Sequence, residues 1–185
     1  MRFFKYVFLV LSLVIGQQEL AASFAVAGVP KVIGGNVIVT WSELDGSSNC
    51  HVFGAVGDVT DPPNLWTVQD ITAATSIQVT TPKLYRNDLG DIVAVWQYHD
   101  DNLGFMRVAA SRLPTGTTTW VTHIISDDTD EAAGFNDESA DLDEEGNILV
   151  TWTSQDTTTY DTVVRGVTAT MDTQNGWNAS FVISQ

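Results

Sequence analysis

Trp41, Trp96 and Trp152 stand 55 and 56 residues apart, and Trp66, Trp120 and Trp177 follow them at offsets of 25, 24 and 25. These are all six tryptophans of the chain. That register marks three copies of one unit. Self-similarity with a period of about 50 residues is the signature of a propeller or a solenoid.

Each copy opens its clearest stretch with a glycine turn and an apolar run ending in tryptophan. The three are Gly35-Asn36-Val37-Ile38-Val39-Thr40-Trp41, Gly90-Asp91-Ile92-Val93-Ala94-Val95-Trp96 and Gly146-Asn147-Ile148-Leu149-Val150-Thr151-Trp152. Glycine beside Asn or Asp supplies the positive φ of a tight hairpin turn. The β-branched run reads as a strand buried on both faces, the second of its unit. A polar turn follows at Asp45–Ser48, Asp100–Asn102 and Gln155–Thr157. Third strands are predicted over His51–Val56, Phe105–Arg112 and Thr162–Ala169, with small residues at Gly54-Ala55, Ala109-Ala110 and Gly166 that let neighbouring sheets approach. Fourth strands begin at the second tryptophan and end at Ile71-Thr72, Ile125-Ser126 and Ile183-Ser184. First strands, the least regular, fall at Ala27–Val32, Pro82–Asn87 and Glu138–Asp143.

Four short antiparallel strands per unit make a propeller blade. The expected fold is all-β and β-propeller-like: three four-stranded antiparallel blades of about 55 residues, spanning approximately 23–76, 77–132 and 133–185. A β-sandwich is the rival, but it demands no strict repeat. The pattern resembles the β-propeller repeats of bacterial secreted proteins, in which Gly-Asn-x-x-x-x-Trp recurs. More loosely it resembles the Asp-box, Ser-x-Asp-x-Gly-x-x-Trp, of sialidase-like propellers. Ser111, Gly116 and Trp120 keep one partial version, Asp172, Gly176 and Trp177 another, and the first unit keeps only Trp66. The resemblance covers residues 27–185 and implies a fold rather than an activity. Closed propellers have four to eight blades. Three therefore imply an incomplete ring belonging to a longer chain, or a ring of six completed by a head-to-tail homodimer.

Residues 1–22 read as a secretory signal peptide: Arg2 and Lys5 at the front, an apolar run from Phe8 to Ile15, and the small-residue exit Leu20-Ala21-Ala22, with Ala25 and Ala27 as rival cleavage points. The apolar run is too short to span a bilayer. The expected location is secreted, periplasmic or cell-surface. Loss of Arg2, Lys5 and Glu19 leaves 6 basic and 22 acidic residues, a net charge of −16. Nucleic acid and anionic membranes, which need a basic surface, are excluded as partners. Cys50 is the only cysteine, so no intrachain disulfide forms; it reads as a half-buried strand residue, with an intermolecular bridge as the alternative.

Two readings compete for the tryptophans. Trp41, Trp96 and Trp152 end buried strands and read as core. Trp66, Trp120 and Trp177 start the fourth strands nearer a loop. They read as core too, but are the candidate ligand-binding residues: one sugar-stacking platform per blade. Asp141, Asp143 and Glu145 in Asp141-Leu142-Asp143-Glu144-Glu145-Gly146 match the opening of a calcium loop, since hard cations take carboxylate oxygens around a tight glycine turn. Trp152 stands where a bidentate Glu belongs, and the matching sites of the second unit are Tyr85, Asn87 and Leu89. No cofactor is expected, with calcium as the alternative.

A sialidase-like site needs three arginines around a carboxylate and a Tyr beside a Glu. Arg86, Arg107, Arg112 and Arg165, and Tyr85, Tyr98 and Tyr160, supply the types without a telling spacing. Arg107 and Arg112, five apart on one strand, face opposite sides. His51, His99 and His123 have no metal-ligand spacing, and Gly-x-Ser-x-Gly is absent. The expected function is therefore an exported, non-enzymatic module binding a protein or glycan. A lectin using the blade tryptophans is one alternative, and a sialidase-like glycoside hydrolase fragment the other.

Overall fold

A computed structural model describes residues 26–74, 76–128, 130–132, 137–156, 159, 161–172 and 176–184. The expected signal peptide and Tyr160 lie outside the described residues. Among those residues the chain is all-β, with one short 3-10 turn at Pro63–Leu65. No described helix is long and apolar enough to cross a membrane.

The strands form three antiparallel sheets in chain order. The first holds β1 (Val26–Ala27), β2 (Lys31–Ile33), β3 (Asn36–Leu44), β4 (Cys50–Asp58) and β5 (Thr67–Asp70). The second holds β6 (Lys83–Arg86), β7 (Ile92–Asp100), β8 (Phe105–Leu113) and β9 (Val121–Ile124). The third holds β10 (Asp130–Ala132), β11 (Ser139–Leu142), β12 (Asn147–Asp156), β13 (Thr162–Thr170) and β14 (Phe181–Ser184). Each is a four-strand meander. In the first and third sheets the opening strand is broken in two, and both pieces pair with the next strand: β1 and β2 with β3, β10 and β11 with β12.

The sequence-based boundaries miss at these breaks, at the second strands, which continue past Trp41, Trp96 and Trp152 instead of ending there, and at β14, which begins at Phe181 and not at Trp177. The run expected to be continuous over Ala27–Val32 is interrupted at residues 28–30, because Pro30 has no N–H to give to a ladder. β10 was not foreseen at all; it puts Asp130–Ala132 in the third sheet. The turn glycines behave as read, with φ of +92° at Gly35, +96° at Gly90 and +79° at Gly146.

The two faces of each sheet serve different neighbours, as the strand pleat requires. Ile38, Val52 and Val56 of the first sheet pack against Leu84, Ile92, Ala94, Trp96, Ala109 and Trp120 of the second. On the second sheet's other face, Val93, Val95, Val108 and Ala110 pack against Ile148, Val150, Trp152, Val167 and Ala169 of the third. Trp96 and Trp152, each 1% exposed, are the large rings at the centres of these two layers. Trp41 occupies the matching place on the first sheet, in a cluster with Val39 and Ala55 on the face turned away from the second sheet.

The small residues at the middle of the third strands are sockets. A Cβ on Gly54 would lie 2.6 Å from Nε1 of Trp120, so the indole of the second sheet rests directly on the backbone of the first. Gln69 fixes that approach: its amide donates to the Trp120 carbonyl and accepts from the Trp120 N–H, both at 2.9 Å. Register equates Gly54 with Ala110 and Gly166, opposite Thr40, Val95 and Thr151. In the third sheet the space over Gly166 is filled by its own Phe181 and Ile183.

Two changes check this packing. Trp96→Ala should cost about 3–5 kcal/mol of unfolding free energy, as expected for truncating a fully buried ring. Gly54→Ala should cost about 1–3 kcal/mol, because the rigid indole must retreat. Urea titration measures both. A Gly54→Ala midpoint equal to that of the parent protein would mean Trp120 does not rest on this backbone.

Candidate functional site

A cleft of about 750 Å³ lies at one end of the third sheet. It is lined by Asp141, Asp143 and Asn147 at the β11–β12 turn, by Thr168 and Thr170 at the end of β13, and by Trp177 and Asn178 before β14, among others. A concave surface with one aromatic ring and several polar groups is the usual form of a small-ligand site.

The turn forming one wall is held by its own side chains. Both Asp143 carboxylate oxygens accept from Asn147, one from its N–H and one from its amide, each at 2.7 Å. The Asn147 side chain, then its N–H, holds the Asp143 carboxyl below the usual carboxylate range, against a smaller upward push from burial. The second sheet builds the same turn with the residue types exchanged: Asn87 accepts from the Asp91 N–H and donates to its carboxylate, both at 3.0 Å. The turn geometry thus does not require a carboxylate at the position of Asp143. Of the proposed calcium ligands, Asp141 accepts the Leu142 N–H at 3.0 Å, Asp143 is engaged as above, and Glu145 is exposed. Among the described residues no group of three or more His, Cys, Asp or Glu is placed to hold a metal ion.

The candidate tryptophans are not three equivalent platforms. Trp120 is 3% exposed, sealed between the first two sheets. Trp66 is half-buried and lies on Gly57 of its own sheet, where a Cβ would come within 2.1 Å of the ring. Trp177 alone lines the cleft, half-buried against the core of the third sheet. It is held from the neighbouring sheet by Arg112, whose guanidinium lies 5.6 Å from the ring centroid, within cation–π range. Arg112 is fully buried and donates to the carbonyls of Thr170 at 2.6 Å and Asp172 at 3.1 Å. Its other nitrogen meets His123 Nε2 at 3.3 Å, which makes that imidazole nitrogen the acceptor. Burial and then the Arg112 charge push the His123 pKa down.

Sequence reasoning paired Trp177 with no partner and missed Arg112, Asn147, Thr168 and Asn178 as its surroundings. The Asn178 amide donates to Thr168 Oγ1 at 2.8 Å. The recurrence of Asn147 in the Gly-Asn turn was the available signal.

The remaining polar candidates are spread out. Arg107 faces the opposite side from Arg112 and binds Asp128 at 2.6 Å and Asp100 at 3.4 Å, so the two do not share a clamp. Tyr98 is buried, and burial pushes its hydroxyl up to about 12. Tyr85 donates to the Glu138 carbonyl at 3.3 Å. Glu138 is buried and raised by that burial, with Lys83 at 3.6 Å. His51 lies between Asp70 at 3.1 Å and Asp45 at 3.3 Å. Partial burial lowers its pKa, but these carboxylates outweigh it and the net shift is upward. His99 Nδ1 meets Asp101 at 2.9 Å. The Cys50 thiol is half-buried and donates to Ile77 at 3.4 Å.

No family model and no curated protein matches the chain. Among solved structures it is similar to an endo-arabinase from Bacteroides thetaiotaomicron VPI-5482, at 11% identity and a TM-score of 0.43, over 91% of this chain and 63% of that one. It is also similar to a family 117 glycoside hydrolase produced by the marine bacterium Zobellia galactanivorans, at 11% identity and a TM-score of 0.40, over 84% of this chain and 54% of that one. The chain thus spans less than two thirds of either. Both are enzymes, and this corrects the expectation of a non-enzymatic module: the sheet architecture gives no ground for excluding catalysis. Likeness at this level assigns the chain no activity.

The His123 contact makes a signed prediction. A His whose folded pKa lies below its ordinary 6.5 adds stability above that value and loses it as pH falls through the lowered one. The stability difference between the parent protein and His123→Gln should therefore shrink from pH 7.5 to pH 5.5. A difference that stays constant or widens on acidification contradicts the buried, neutral imidazole.

Proposed function

We propose that the third-sheet cleft binds an uncharged glycan. The observation that carries this reading is the indole of Trp177 in a cleft of about 750 Å³ walled by carboxylate, amide and hydroxyl groups. Sugars present apolar ring faces and a rim of hydroxyls, which an aromatic ring and hydrogen-bonding side chains match together. Among the described residues no Lys or Arg lines the cleft, while Asp141 and Asp143 do. The chain carries a net charge of −15. Acidic sugars are therefore disfavoured by like-charge repulsion. An exported chain would meet such glycans outside the cell.

Titration of the intact protein with cellohexaose, xylohexaose and arabinohexaose, followed by tryptophan fluorescence, tests this. At least one should give a saturable change that Trp177→Ala weakens by ten-fold or more, with oligogalacturonate binding weaker still. Binding that survives Trp177→Ala unchanged, or a preference for the galacturonate, would put the ligand elsewhere.

A further inference from the structure

We propose that Arg112 is a positioning residue of this cleft, acting on the ligand through Trp177 and the segment that carries it. The inference rests on the cleft being the glycan site. Arg112 does not line the cleft and belongs to the neighbouring sheet, on β8. Three contacts nevertheless converge from it on the segment that carries the ring. Its Nη1 donates to the Thr170 carbonyl at 2.6 Å and to the Asp172 carbonyl at 3.1 Å, the last residue of β13 and the second beyond it. Its guanidinium carbon lies 5.6 Å from the centroid of the Trp177 ring, five residues further on. The chain therefore leaves β13 pinned to the second sheet, and the indole is held by the same group.

Two further observations give the arrangement its precision. Arg112 is fully buried, so its attraction for the ring and the carbonyls is little screened by water. His123, from β9, meets Nη2 at 3.3 Å and restrains the guanidinium from the other side. A planar fork can serve two carbonyls and a ring face together, whereas an ammonium is a point charge. One face of the indole is thus spent on Arg112, and the ring meets the cleft with what remains. Loss of the guanidinium should free the ring to turn and lower affinity without removing any side chain that lines the cleft.

The test uses the full chain labelled with 5-fluorotryptophan, whose fluorine resonances report each ring separately. Trp177→Phe identifies the Trp177 signal. In Arg112→Met that signal should shift or broaden while those of Trp96 and Trp152 stay in place, and affinity for the hexaose that binds best should fall at least ten-fold. Arg112→Lys should fall between, because its charge can still reach a carbonyl. Movement of all the core signals in Arg112→Met would make the lysine variant, which keeps the charge, the deciding comparison. An unmoved Trp177 resonance overturns the proposal, as does a moved resonance with unchanged affinity. If no hexaose binds the parent protein, the reading of the cleft falls, and the fluorine spectrum alone decides whether Arg112 sets the ring.

Discussion

Everything in this fold depends on one sheet laying a large ring against the face of the sheet before it. Trp96 does so at the first layer and Trp152 at the second, each with an aliphatic row from the same strand. A four-stranded sheet of this size has two apolar faces and cannot hide both alone. The layered arrangement removes that problem for the second sheet, which is covered on both sides. Its central strand β7 is accordingly buried from Ile92 to Tyr98, with no alternation between polar and apolar residues. The polar exception in that run, Gln97, donates to Asp137, which precedes β11, at 3.0 Å.

Directional contacts then set how the apolar layers align. Hydrophobic packing alone would let two sheets slide, since it has no preferred direction. Gln69 prevents this between the first and second sheets by pairing with both backbone groups of Trp120. Arg112 does it between the second and third by gripping two carbonyls. These contacts use residues near the ends of their strands, Gln69 on β5 and Arg112 on β8, at the edges of the layers. The cleft beside Trp177 stands at such an edge, so its shape follows from how two sheets are aligned as well as from its own walls.

The repeat was legible in the sequence because burial enforces it. A buried tryptophan in mid-strand cannot be moved by one residue without turning the ring to the other face, so Trp96 and Trp152 stay in register. The glycine turns were legible for the same reason, their φ being open to few other residues. The break in the first opening strand was not, because Pro30 interrupts the pairing without changing the apolar pattern. The site was legible only in part. Trp177 stood out by its spacing, but so did Trp66 and Trp120, and only the stacking of the sheets tells the three apart. Arg112 carried no local signal, since its partners lie about 60 residues away in the chain.

The socket over Gly54 takes an indole from the neighbouring sheet, and the matching socket over Gly166 is plugged by Phe181, which keeps 43% of its surface in solvent. The two faces therefore have different shapes although they descend from one pattern. A further sheet that continued the stack by the same knob and socket would first have to swing Phe181 aside. The outer face of the third sheet is gated by its own side chain, and whatever covers it must either open that gate or fit the contour of a phenyl ring instead of a glycine hollow.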